Sequence, residues 1–146
     1  MFNILSSDEK IKLKNVSKTD LEYLYQLLKK RDPRANISHR TMPTFENHKK
    51  FVLSKPYSKW YIIISNNKKI GSIYLSKLNE IGIFLDKDYQ KHGVGNIALK
   101  LLMEKNPRKR FLANINPDNK TSFKFFKNNG FKLIQFTLEL SNDTKY

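Results

Sequence analysis

The sequence predicts a single α+β domain, and three observations lead to this prediction. Between residues 59 and 85, three apolar or alternating segments are joined by connections of hairpin length, which favours antiparallel strands. Apolar stripes with helical spacing lie on both sides of this block. The chain has 146 residues and shows no internal repeat or linker, so we expect one hydrophobic core and one domain over residues 1–146.

The N-terminal part of the chain predicts a strand followed by two helices. Residues 11–17 alternate apolar and polar side chains, as a half-buried strand does. Residues 17–31 carry an apolar helical stripe, and Thr19 with Glu22 forms a capping-box pattern at its start. A second helix is expected over residues 44–55, with a threonine as its N-cap. The polar stretch between the two helices is predicted to be a loop.

The rest of the chain predicts the sheet and two more helices. The antiparallel strands are expected at residues 59–65, 70–76 and 80–85. The later elements are a helix at 94–106, a strand at 110–115, a helix at 118–129 that starts from Asn116 and Pro117, and a strand at 131–140. The predicted order is therefore β-α-α-β-β-β-α-β-α-β, with a mixed central sheet.

Composition restricts the class of function. The chain has no cysteine, which excludes disulfides and thiolate chemistry, and its three histidines lack metal-ligand spacing, so no metal is expected. No apolar run approaches the roughly 18 residues of a membrane span, so we expect a cytoplasmic protein without a membrane partner. The net charge is +15, but the lysines are scattered and most aromatic residues fall on apolar stripes. Nucleic acid is therefore not the expected partner.

The segment Gln90–Gly95, with the sequence QKHGVG, is the most informative motif. A glycine-rich loop that enters a helix leaves backbone N–H groups free to bind phosphate. The segment lacks the pattern of a Walker P-loop. It matches the dinucleotide fingerprint G-x-G-x-x-A, but seven residues separate Leu85 from Gly93, whereas the Rossmann glycine closely follows its strand. The remaining pattern is Q/R-x-x-G-x-G, which suits a pyrophosphate; a purely structural turn is the alternative.

A second motif, NKTSFKFFKNNGF at residues 119–131, extends this interpretation. The succession of strand, Q-x-x-G-x-G, helix, strand and N-x-x-S-x-x-x-F-x-x-x-G-F resembles the GNAT superfamily of acyl-CoA-dependent N-acetyltransferases. The resemblance implies a V-splayed mixed sheet flanked by helices. It also implies acetyl-CoA as the cofactor and direct transfer of its acetyl group to a primary amine in a ternary complex.

The resemblance assigns the cofactor-binding residues. The backbone groups of Phe84 and Leu85 would bind the pantetheine arm and the thioester oxygen, as an added strand would. Asn119 would reach the pantetheine arm, or else only cap its own helix. The pyrophosphate would be held by the loop residues Gln90, Lys91, His92, Gly93, Val94 and Gly95.

The resemblance also bears on catalysis. Glu80, at the start of the strand before the loop, is the expected base that deprotonates the amine, and a solvated glutamate without this role is the alternative. His39 and His48 are the next candidates for the base. Phe126 stands where the family often has a tyrosine that protonates the leaving thiolate. We expect Phe126 to be a core residue beside Phe123, because a thiol with a pKa of about 8.5 leaves tolerably well without a general acid.

The expected acceptor is a small-molecule amine. Arg34, His39 and Arg40 in the polar loop are the expected substrate-binding residues, and Tyr57 and Trp60 are nearby in the sequence. This region looks similar to the GNAT branch that acetylates nucleotide-linked amino sugars. A protein or peptide N-terminal amine is the alternative acceptor, and a basic nucleic-acid-binding module is the non-enzymatic alternative. The sequence leaves a monomer and a homodimer open, and acetyl and longer acyl groups as well.

Overall fold

A computed structural model describes residues 11–32, 41–90 and 92–142 of the chain. Its centre is a four-stranded sheet in the order β1-β2-β3-β4. All three neighbouring pairs are antiparallel, as predicted for the block between residues 59 and 85. The strands are β1 at Ile11–Asn15, β2 at Lys59–Ser65, β3 at Lys68–Leu75 and β4 at Ile81–Leu85.

Four helices cover the sheet on both faces, which confirms the α+β class. They are α1 at Leu21–Lys30, α2 at Phe45–Leu53, α3 at Val94–Lys105 and α4 at Lys120–Asn128. Ile62 packs with α1 and α2, whereas the next residue, Ile63, packs with α3, and both are fully buried. This burial on two faces explains the continuous apolar run of β2. In the described part of the chain the longest helix has 12 residues, too short to cross a bilayer.

The start of α1 differs from the predicted capping box. The capping box is formed by Ser17 and Asp20 instead of Thr19 and Glu22, at a short turn that leads into α1, and the Asp20 carboxylate accepts a hydrogen bond from the Ser17 N–H at 2.8 Å. The Asp20 side chain is fully buried and pairs with the ammonium groups of Lys14 and Lys69 at 2.7 Å each. Since Lys14 lies in β1 and Lys69 in β3, one carboxylate connects the first helix to two strands.

The caps of α2 and α4 decide where these helices begin. Thr44 is the N-cap of α2, as predicted, and its hydroxyl accepts from the Asn47 N–H at 3.1 Å. The predicted start of α4 at Asn116 is too early, because the Asn116 side chain accepts from the Asp118 N–H in a turn. The cap is Asn119, whose Oδ1 accepts from the Ser122 N–H at 3.1 Å.

The strand predicted at residues 110–115 forms only one parallel bridge, between Glu80 and Leu112. The Leu112 N–H donates to the Asn79 carbonyl at 2.8 Å, and the Ile81 N–H donates to the Leu112 carbonyl at 2.7 Å. No further backbone bond joins β4 to this segment within the described residues. The sheet is therefore mixed at this bridge alone, and it splays open beyond Ile81.

The strand predicted at residues 131–140 is not formed. Phe131 packs against α4 through a hydrogen bond from its N–H to the Phe126 carbonyl at 3.0 Å. Beyond it the large apolar side chains are 58–93% exposed, namely Leu133, Ile134, Phe136, Leu138 and Leu140. The alternating pattern predicted a strand, but a strand also needs a neighbouring backbone, and this segment pairs with none among the described residues.

Candidate functional site

The register of β3 and β4 determines where each backbone group of β4 points. The Ser76 N–H donates to the Glu80 carbonyl at 2.8 Å, and the Asp86 N–H donates to the Ile70 carbonyl at 2.8 Å. In an antiparallel ladder, alternate residues of a strand bond to the same neighbour. The even-numbered residues 80 to 86 therefore direct their backbone groups toward β3.

The backbone N–H and C=O groups of the odd-numbered residues of β4 face away from β3, toward a slot on the other side of the strand. The slot lies between β4 and residues 114–116, where the sheet splays. The backbone of Ile83 makes no hydrogen bond to any described residue on this side, and the Leu85 carbonyl accepts only from the Gln90 side-chain amide at 3.1 Å. The slot thus offers backbone donors and an acceptor to an extended ligand, in the way a sheet edge does.

Phe84 is placed differently from the prediction. Its backbone faces β3, opposite Ser72. Its ring lies on the face covered by α1, and the Arg31 guanidinium is 4.7 Å from the ring centre. The backbone role expected of Phe84 fits Ile83, which the sequence did not identify. Only the register with β3 distinguishes two neighbouring residues of one strand.

The loop after β4 ends in the first turn of α3. Gly93 is the N-cap and has a left-handed φ of 77°, a conformation that favours glycine. A Cβ at Gly93 would meet no atom within 4 Å, so the cap is open to solvent. The N–H groups of the first helical turn lack partners inside the helix. They are therefore available to an anion, which the helix dipole also attracts.

The other loop residues have distinct surroundings. Gly95 is buried, and a Cβ there would lie 3.0 Å from the Phe125 ring, so this glycine allows α3 and α4 to approach. Val94 is also buried, whereas His92 is exposed. The Gln90 amide binds the end of β4 and so braces the loop. Lys91 lies outside the described residues.

Three further predicted residues line the slot. Glu80 is held at both oxygens, by the Ser76 hydroxyl at 3.0 Å and by the Asn114 amide at 2.7 Å. Asn119 caps α4 through its Oδ1, and its side chain also lines the slot, so its two predicted roles are compatible. Phe126 is 4% exposed and contacts the rings of its core neighbours. These neighbours are Phe125 and Phe131, at 5.0 and 5.1 Å, rather than Phe123, which is 40% exposed.

A cavity of about 360 Å³ lies on the other face of β4, beneath α1 and α2. Its wall is mostly aromatic and apolar, and its size is typical of a small-molecule site. Tyr74 and Phe84 line both this cavity and the slot, so the two spaces meet at these side chains. The lining of the cavity also includes Arg31, His48, Phe51, Tyr57 and Trp60.

His48 Nδ1 and Trp60 Nε1 in the cavity wall are buried and have no hydrogen-bond partner among the described residues. Buried polar atoms are nearly always hydrogen-bonded in folded proteins, so these two are suited to a ligand. Burial lowers the pKa of His48, and its imidazole is therefore neutral at neutral pH. The cavity consequently combines an indole donor with a neutral imidazole.

Tyr57 and Tyr74 form a parallel stack in the cavity wall. Their ring centres are 3.9 Å apart and their planes differ by 3°, and Trp60 meets Tyr57 edge-on at 4.8 Å. Burial, followed by the neighbouring Tyr74, raises the pKa of Tyr57. Burial, followed by the charge of Glu80, raises the pKa of Tyr74. Both hydroxyls therefore keep their protons at neutral pH.

The predicted substrate-binding residues Arg34, His39 and Arg40 lie outside the described residues. Arg31, which ends α1, and Thr41, the first described residue after the loop, both line the cavity. The sequence did not identify Phe51 or Tyr74 as cavity residues. Gly82 could have indicated that a side chain such as that of Tyr74 packs closely on β4, because a glycine inside a strand often marks the close approach of another group.

The family model of the Acetyltransferase (GNAT) family matches residues 21–131, which include strands β2 to β4, the slot and the glycine loop. The chain belongs to this family. This GNAT protein is therefore an N-acetyltransferase, and acetyl-CoA is its acetyl donor, as the sequence predicted. The slot has free backbone groups of the kind that an extended arm pairs with, and a helix N-terminus such as that of α3 suits an anion, so the residues present fit this donor.

Solved structures share the fold of this GNAT protein. A domain from Methanocaldococcus jannaschii DSM 2661 is 26% identical with a TM-score of 0.74, over 89% of this chain and 93% of that one. RimL, a ribosomal L7/L12 alpha-N-protein acetyltransferase in complex with coenzyme A, is 22% identical with a TM-score of 0.72, over 86% and 82%. An aminoglycoside N-acetyltransferase in complex with CoA is 16% identical with a TM-score of 0.66, over 90% and 94%. RimL and the aminoglycoside N-acetyltransferase are named for different acceptors, so the shared fold does not define the acceptor.

Proposed function

We propose that this GNAT protein acetylates the primary amine of a small molecule that binds in the aromatic cavity. The observation that carries the proposal is the position of the cavity. It meets the slot at Tyr74 and Phe84, so an amine in the cavity lies beside a thioester in the slot. Such proximity and orientation make a direct attack on the thioester carbonyl effective.

The donor is proposed to bind along β4 and across the loop. The backbone groups of Ile83 and the N–H of Leu85 pair with the pantetheine arm, and Asn119 contacts it from α4. The pyrophosphate lies at the N-terminus of α3, where Gly93 leaves the N–H groups uncovered. Lys91 and His92 are proposed to add positive charge or donors at its edge.

The charges that line the cavity favour an acceptor that is neutral or anionic apart from its reacting amine. Among the described residues of its lining there is no Asp or Glu, whereas Arg31 is present. A polyamine or an aminoglycoside carries several ammonium groups, which bind best to carboxylates. Aromatic walls with a few donors instead suit a ring that bears oxygen atoms. We therefore propose a nucleotide-linked amino sugar as the acceptor, with Arg34, His39 and Arg40 as further contacts.

The base that deprotonates the acceptor is proposed to be Glu80. Its carboxylate lies in the slot and not in the cavity, so it acts on the amine through a water molecule. The bonds from Ser76 and Asn114 fix its orientation. His48 is the alternative base, because its neutral imidazole lines the cavity and its Nδ1 has no partner in the part of the chain that the structure describes.

Donor binding is tested by thermal unfolding with and without acetyl-CoA. Ligand at one hundred times its Kd stabilises the folded state by about 2.7 kcal/mol, which is a shift of several degrees. An unchanged midpoint at millimolar acetyl-CoA contradicts the proposed donor site.

The acceptor class is tested by measuring thiol release from acetyl-CoA. The panel contains nucleotide-linked amino sugars, peptides with a free N-terminus, polyamines and aminoglycosides. We expect turnover with the amino sugars and little with the polyamines. The highest kcat/KM with peptides would instead support a protein N-terminal acetyltransferase.

A further inference from the structure

Tyr74 lies where the cavity and the slot meet, and a glycine allows it to reach the slot. Tyr74 pairs with Gly82 across β3 and β4, so their positions share one face of the sheet. A Cβ on Gly82 would lie 2.2 to 2.5 Å from the ring carbons and hydroxyl of Tyr74. No side chain larger than hydrogen fits there without moving the ring. The Tyr74 hydroxyl therefore lies directly over the backbone of β4.

The surroundings of Tyr74 hold its ring in place and keep its hydroxyl protonated. The parallel stack with Tyr57 leaves the ring little rotational freedom. Burial and the charge of Glu80 raise the pKa of Tyr74, against the smaller opposing effects of Arg31 and Tyr57. The hydroxyl is thus a fixed hydrogen-bond donor at neutral pH.

We propose that the Tyr74 hydroxyl is the catalytic proton donor to the sulfur that leaves acetyl-CoA. The inference rests on the proposed function, in which the thioester lies along β4. Ile83, whose backbone faces the slot, directly follows Gly82, so a thioester held at Ile83 lies beside the hydroxyl. Phe126 has no proton to give, and Tyr74 is the sole phenol among the described residues that line the slot.

The proton balance of the step closes without another reactant. The neutral amine nitrogen attacks the thioester carbonyl and forms the C–N bond. The C–S bond then breaks, and the sulfur takes the proton of the Tyr74 hydroxyl. The new amide nitrogen releases its surplus proton to the Tyr74 oxygen. Nitrogen has lost one proton, sulfur has gained one, and the tyrosine is unchanged.

The first test needs no acceptor and measures the thiol of bound coenzyme A. A hydroxyl that donates to the sulfur stabilises the thiolate and lowers the pKa of the bound thiol. We expect this pKa, followed by ultraviolet thiolate absorbance, to be higher by about one unit or more in Tyr74→Phe than in the wild type. The matched control is Tyr61→Phe, which removes a tyrosine hydroxyl bonded to Asn106 on the opposite face of the sheet. Equal thiol pKa values in all three proteins refute the role of Tyr74.

The second test uses turnover with the amine that the acceptor panel identifies. Tyr74→Phe is expected to lower kcat about 100-fold, with an unchanged Kd for acetyl-CoA, whereas Tyr61→Phe keeps its kcat. Gly82→Ala keeps the hydroxyl but displaces it, so it should lower kcat too. The double variant Tyr74→Phe/Gly82→Ala should have a kcat no lower than that of Tyr74→Phe alone, because both changes act on the same hydroxyl. If Tyr74→Phe keeps the kcat of the unmutated protein, the role of Tyr74 is overturned but the acetyltransferase activity is not. If the unmutated protein shows no turnover with any amine of the panel, the proposed acceptor class is overturned. The thiol titration then decides on Tyr74.

Discussion

A carboxylate placed at Gly93 should repel the pyrophosphate of acetyl-CoA, and the structure allows this effect to be isolated. Gly93 is exposed, and no atom lies within 4 Å of the position of an added Cβ. Its φ of 77° strains any side chain, although Asn and Asp tolerate this region better than most residues. Gly93→Asn is therefore the matched control for Gly93→Asp, because it has the same shape and the same backbone strain without the charge.

The size of the effect follows from Coulomb's law. Two unit charges about 6 Å apart repel by about 0.7 kcal/mol in water and about 2.8 kcal/mol at the effective dielectric constant of a protein surface. Each unit of phosphate charge thus weakens binding by a factor between about 3 and 100. Since a pyrophosphate carries more than one charge, we expect the Kd of Gly93→Asp to exceed that of Gly93→Asn at least tenfold.

The assay is calorimetric titration of both variants with acetyl-CoA at two salt concentrations. The difference between them should shrink at high salt, because the site is solvent-exposed and mobile ions screen it. Their unfolding midpoints without ligand should agree, since neither side chain contacts the protein. Equal Kd values at low salt would show that no anion binds near the loop, and the proposed donor site would then be wrong.

Three further predictions concern the acceptor side and the fold. Glu80→Gln should lower kcat at least tenfold while acetyl-CoA still raises the unfolding midpoint, and full turnover at every pH would remove Glu80 from the mechanism. Trp60→Phe keeps an aromatic wall but deletes the indole N–H, so the acceptor KM should rise about fivefold to tenfold in steady-state assays, and an unchanged KM contradicts the contact. Asp20→Asn should lower the free energy of unfolding in urea by about 2 kcal/mol at pH 7, because the two lysines it leaves behind are partly exposed and can be solvated. Burial raises the pKa of Asp20, but its bonds to Lys14, Lys69 and Ser17 outweigh this effect and hold the pKa below 3.8. The difference in free energy of unfolding between the wild type and Asp20→Asn should therefore be full above pH 3.8. It should vanish as the pH falls through the lowered pKa.

The sequence predicted the parts of the fold that depend on local pattern. The continuous apolar run of β2, the threonine cap of α2 and the glycine at the start of α3 each have a local cause, and each is found where it was expected. The predicted strand at residues 131–140 failed for the opposite reason. Its alternation is a local property, but strand formation depends on a partner elsewhere in the chain.

The candidate site also has parts that could be predicted from the sequence and parts that could not. The glycine loop and the segment 119–131 could be found because each motif is contiguous in the sequence, and the slot between β4 and the next strand was implied by the family resemblance that these motifs carry. The cavity could not, since Arg31, His48, Tyr57 and Tyr74 come from four elements or connections that meet only after folding. The backbone role was expected at Phe84 and fits Ile83 for a different reason. The direction of each backbone group in β4 depends on the register of β4 with β3, which the sequence does not specify.

The separation of cavity and slot has a consequence for engineering this enzyme. Most of the cavity wall comes from α1, α2 and residues 57–60, whereas most of the slot comes from β4, residues 114–116 and α4, and the glycine loop leads into α3. Variation at Phe51 or Trp60 is therefore expected to reshape the proposed acceptor site without touching the proposed donor site, whereas Tyr57 stacks on Tyr74 and should be kept. Residues 74, 82 and 84 belong to the shared boundary, and a combinatorial library that aims at new amines should keep them constant.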